Sequence, residues 1–166
     1  MNSVQIHLAL THAPVIISLV GLVMLVVALI LKNSMLTRVA YVLIIVAGIA
    51  AIPVYFTGEG AEEAVEHLPG ISESIIEEHE DIAGFSMLSI TVAGVLSIAA
   101  FFAARWNSIS RILKFSVLLV SLVSAGLMIQ TAHLGGKIRH TELSNGLTQN
   151  GTDLSQPTNN HDNDND

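Results

Sequence analysis

Four stretches of this chain contain no Asp, Glu, Lys or Arg. They run from Ala13 to Leu31, Val39 to Gly58, Ile82 to Ala104 and Phe115 to Gly136. Each is about as long as a helix must be to cross a hydrocarbon core of roughly 30 Å at about 1.5 Å per residue. In lipid, a backbone must satisfy its own hydrogen bonds within the segment, so four apolar runs predict four helices. Together with the local stop signals, the runs set the expected helices at about 13–32, 38–58, 74–104 and 111–134. The short joints between the first and second runs, and between the third and fourth, predict an all-α, up-down four-helix bundle in the membrane. The composition agrees: 51% of the 166 residues are hydrophobic and 13% charged, which suits one membrane domain better than a soluble fold.

The charges are segregated by the same runs. The joints Lys32–Arg38 and Arg105–Lys114 carry Lys32, Arg38, Arg105, Arg111 and Lys114 and no acid. Counting crossings, all 14 Asp and Glu and all 7 His fall on the opposite side. Basic short loops stay in the cytoplasm. Both termini and the Glu59–Asp81 loop are therefore expected in the periplasm of a bacterial inner membrane, with Lys137 and Arg139 as the two basic residues against the rule. No basic region precedes the first apolar run, so it does not read as a cleaved signal peptide.

The net charge of −7 comes from the acidic side and speaks against nucleic acid as a partner. With no Cys, the chain has no disulfide, thiolate metal site, iron–sulfur cluster or covalent haem attachment. Pro14 suits a first helical turn, Pro53 predicts a kink in helix 2, Ser72 or Ser74 a capped start of helix 3, and Gly135-Gly136 the end of helix 4. Residues 145–166 are almost wholly polar and read as a disordered tail.

His7 and His12 lie at the outer end of helix 1, His79 at that of helix 3, and His133 and His140 at that of helix 4. Ionisable groups at one membrane depth on three helices make a candidate site. Imidazole is the usual ligand for haem iron, copper and zinc. Two helical stripes, His79, Ala83, Ser86 and Gly126, Gln130, His133, combine histidine with small or polar neighbours and leave room for a flat macrocycle. The acids Glu77, Glu78, Glu80 and Asp81 are candidate partners for the His79 ring. The bland alternatives are interfacial or capping histidines and a solvated acidic helix start. Glu63 with His67 is a weak chelating pair, and His161 in the tail has no role in this reading.

The segment His7-Leu-Ala-Leu-Thr-His12-Ala-Pro14 resembles the opening motif H-P-x-x-V-H-F-P of the DUF2231 family of bacterial membrane proteins. Ala132-His133-Leu-Gly135-Gly136-Lys-Ile-Arg-His140 is similar to that family's closing motif, G-H-x-G-G-x-L-x-H-G. The spacing within each His pair agrees, and the resemblance covers about residues 5 to 142. Ala13 stands where the family has an aromatic residue, and Thr141 where it has Gly. Relatives of the family fused to cytochrome-c-like modules imply a place in periplasmic or membrane electron transfer, and favour haem over zinc.

The resulting expectation is an electron carrier or binding subunit rather than an enzyme. It holds b-type haem through histidines at the periplasmic shoulder and works with a periplasmic or membrane cytochrome, alone or in an oligomer. His12 opposite His79 is the first expected axial pair, because helices 1 and 3 are diagonal in an up-down bundle. His133 with His7 or His140 is the second. The rivals are a copper or zinc site built from His12, His79 and His133, and a non-catalytic membrane subunit whose shoulder docks a periplasmic partner. No nucleophile–base pair or phosphate loop supports a hydrolase or transferase.

Overall fold

The computed structural model describes residues 3–65, 73–103 and 107–153. Among these it has four helices: α1 (Ser3–Ile30), α2 (Ser34–Val65), α3 (Glu73–Phe102) and α4 (Asn107–Asp153). Each contains a stretch long and apolar enough to cross a membrane: His7–Ile30, Ser34–Gly58, Glu73–Phe102 and Ile109–Ile138. The outward faces carry large apolar side chains such as Val23, Ile49, Val95 and Leu119. A soluble protein rarely exposes apolar patches of that extent, and a bilayer covers them. The chain is a multi-pass membrane protein.

α1 packs on α2 and α4, and α3 on α2 and α4. The core is built from Leu25, Tyr41, Ile44, Ile90 and Val117 with small residues between them. A Cβ on Gly48 would stand 3.1 Å from the Ile90 carbonyl oxygen, so only glycine lets α2 and α3 approach this closely.

The α1–α2 joint is closed by its own backbone. Asn33 N–H donates to the Ala28 carbonyl at 3.0 Å and Lys32 N–H to that of Leu29 at 3.3 Å. Lys32 adopts the left-handed conformation, with φ 50°. This is a Schellman stop with lysine where glycine is usual. Asn33 then caps α2: its side-chain oxygen accepts from the N–H groups of Met35 at 2.9 Å and Leu36 at 3.1 Å.

The helices differ from the expected ranges at their ends. α1 begins at Ser3 and carries Pro14 in its interior, not its first turn. Residues 3–12 are uncharged, so nothing opposes an earlier start. α2 continues past Gly58 to Val65, into the expected loop, with Pro53 inside it. α4 runs through Gly135-Gly136 to Asp153, so residues 145–153, expected as tail, are helical. A glycine inside a helix costs only about 1 kcal/mol against alanine, which an established helix tolerates, and the next proline is Pro157. The expected Ser72 cap, His67 and His161 lie outside the described residues.

Candidate functional site

At one end of the bundle all four helices enclose a cavity of about 690 Å³. Its lining is mostly apolar and small, including Val15, Ala51, Val54, Ala83, Met87 and Met128, and three histidines reach it: His7, His12 and His79.

His7 enters from α1. Its Nδ1 lies 3.3 Å from Thr57 Oγ1 on α2, and the Thr57 hydroxyl donates its one proton to the Val54 carbonyl at 2.9 Å. The hydroxyl can therefore only accept from His7, which puts the ring proton on Nδ1. His79 enters from α3. Its Nδ1 lies 3.1 Å from the Thr131 carbonyl on α4, so Nδ1–H donates there as well. Both neutral rings thus keep a lone pair on Nε2. A fixed Nδ1–H with a free Nε2 is the usual state of an imidazole that ligates a metal.

Two glycines shape the rings' surroundings. A Cβ on Gly58 would come within 3.4 Å of His7 Cε1, and one on Gly135 within 3.2 Å of His79 Cε1. Gly135 does not stop α4; it gives the His79 ring space. Below the ring, Thr131 Oγ1 donates to the Leu127 carbonyl at 2.9 Å, so Ser86 Oγ, 2.9 Å away, donates to Thr131. His7 and His79 are both half-buried.

The other candidates fall elsewhere. His12 is exposed at the cavity edge, its Nδ1 2.8 Å from the Leu8 carbonyl of its own helix. His133 is exposed and does not line the cavity. The stripe Gly126, Gln130, His133 faces outward, because α4 turns Met128, Thr131 and Gly135 inward instead. The stripe His79, Ala83, Ser86 does line the cavity. Glu77, Glu78, Glu80 and Asp81 are exposed, and the His79 ring is held by a main-chain carbonyl rather than by any of them. His140 lies on α4, and its side chain is outside the described residues. Among the described residues no three His or carboxylate side chains converge as a metal-binding group.

Thr57 and Thr131 do not stand out in the sequence as site residues. The available signal was a hydroxyl in an apolar run at the same depth as a histidine on another helix. No family model, curated protein or solved structure matches this chain.

Proposed function

We propose that this is an up-down four-helix protein of a bacterial inner membrane, with periplasmic termini, that binds b-type haem between His7 and His79 and passes electrons. The observation that carries the reading is the pair itself. Two imidazoles from non-adjacent helices reach one apolar cavity, each anchored through Nδ1–H, with Nε2 left as a ligand atom. The cavity volume of about 690 Å³ suits a cofactor, since such pockets span roughly 300–1,000 Å³. Gly58 and Gly135 keep side chains away from the rings.

When bound, the haem supplies a one-electron redox centre. His7 and His79 would hold it through their Nε2 atoms. Thr57 and the Thr131 carbonyl hold the rings in one tautomer and orientation. The walls are mostly apolar. The pair His7–His79 replaces His12–His79 in this reading, because the His12 ring lies along its own helix. A copper or zinc site ranks below haem, since two histidines alone are a poor donor set for zinc. The orientation rests on the five basic residues of the two joints. Membership of the DUF2231 family is part of the same proposal and rests on the two histidine motifs. A periplasmic or membrane cytochrome is the proposed electron partner.

The test is spectroscopic. Full-length protein made with ample haem supply should show a Soret band. His7→Ala and His79→Ala should each lose it, while His133→Ala and His12→Ala keep it, all four variants being inserted and monodisperse. A correctly inserted wild-type protein without Soret absorption would end the haem reading. Reporter fusions at Asn107 and Asn145 test the orientation; an Asn145 fusion active only in the cytoplasm would reverse it.

A further inference from the structure

Most side-chain donors of the cavity are already committed, the Tyr55 hydroxyl on its wall being the exception. The hydroxyl protons of Thr57 and Thr131 are committed to the Val54 and Leu127 carbonyls. The imidazole N–H groups of His7 and His79 are committed to Thr57 and Thr131. His12 follows the same rule: the Leu8 carbonyl 2.8 Å from its Nδ1 can only accept, so the neutral ring keeps its lone pair on Nε2. Unlike the other two rings, His12 is exposed at the cavity edge and free to meet a molecule from outside.

That edge lies between α1 and α4. α1 and α4 share the sparsest contact of the four packed helix pairs. Ala9 and Ile16 on α1, and Ala132 and Gly136 on α4, line the cavity and are also exposed, Ile16 to 57%. All four lie within the apolar spans His7–Ile30 and Ile109–Ile138. An opening at this depth leads sideways into the bilayer.

We infer that this lateral opening binds the headgroup of a lipid-dissolved hydroquinone, whose phenolic hydroxyl donates to Nε2 of His12. The occupant must partition into lipid, pass between helices faced with Ala and Gly, and bring its own hydrogen-bond donor. A para-hydroquinone with an apolar tail meets all three requirements. An anionic headgroup meets the like charge of Glu80 on the cavity wall. The choice of a redox-active ring rests on the haem reading, because it names the electron donor that a buried haem would serve; the binding needs only this chain.

The experiment uses the full chain as purified, in lipid nanodiscs, titrated with decylubiquinol kept reduced under argon. Binding is followed by calorimetry and by the ¹⁵N resonance of His12 Nε2. The resonance should shift on binding. His12→Ala should weaken binding about tenfold, the effect of one hydrogen bond. Ile16→Trp, which narrows the opening without touching the acceptor, should weaken it as well, and His133→Ala should leave it unchanged. The dimethyl ether of the same hydroquinone, which has no donor, should bind wild type no better than decylubiquinol binds His12→Ala. Equal binding of ether and hydroquinone to wild type overturns the inference, whether or not His12→Ala folds. Haem is read separately from the Soret band. A Soret band without hydroquinone binding overturns this inference alone, and hydroquinone binding without a Soret band overturns the haem reading alone.

Discussion

The two ends of the bundle are built in opposite ways. At the Lys32-Asn33 joint, backbone and cap hydrogen bonds close one helix and open the next within three residues. The hollow there measures only about 170 Å³. At the histidine end the helices stand apart around about 690 Å³, and side chains from different helices make the polar contacts. One end is held by local geometry and the other is kept open by glycines and by anchored rings. Stability and ligand binding should therefore be separable by mutation.

The largest effect is expected at Gly135. Its Cβ position is 3.2 Å from His79 Cε1, so Gly135→Leu must displace the ring. Haem content should fall at least tenfold, while the unfolding temperature holds or rises, since glycine is the poorer helix residue by about 1 kcal/mol. A matching loss of stability would mean that the two properties are coupled after all.

Next is Thr57→Val, which removes the acceptor for His7 Nδ1–H and keeps the side chain's shape. Removing such an anchoring partner typically costs about 10–100-fold in ligand affinity. Haem titration of the apoprotein measures it, and unchanged affinity would show that Thr57 does not orient the ring.

The joint should respond in the other sense. Asn33→Ala removes the α2 cap and should lower stability by about 1 kcal/mol with haem content unchanged. Lys32→Gly relieves a left-handed non-glycine residue and should raise stability by about 1 kcal/mol. Thermal unfolding of both variants in the same lipid checks the pair, and a Soret change in either would show that the joint reaches the site.

The four helices were legible because charge-free runs of membrane length leave a chain few alternatives. Their ends were not. A missing charge marks where lipid begins but does not end a helix, and α1, α2 and α4 all run on. The histidine end was legible as a cluster at one depth, but not in its pairing. His7 and His12 are five residues apart, which at about 100° per residue turns one roughly 140° from the other. A helix that is apolar all round gives no hint of which of the two faces its neighbours. The same loss of phase hid the inward turn of Thr131 and the outward turn of His133. The helix-3 stripe of His79, Ala83 and Ser86 was readable because small and hydroxyl side chains interrupt the apolar pattern on one face.

α4 runs as one helix from Asn107 to Asp153. Residues 139–153 extend beyond its apolar span and would project about 22 Å from it at 1.5 Å per residue. Such a rod is a lever. With Ser124 in the packed core as fulcrum, a tilt of about 5° carries the far tip through about 4 Å, as the rise per residue dictates. A slight shift of α4 around the His79 ring would then be amplified into a displacement that a neighbour outside the bilayer can feel.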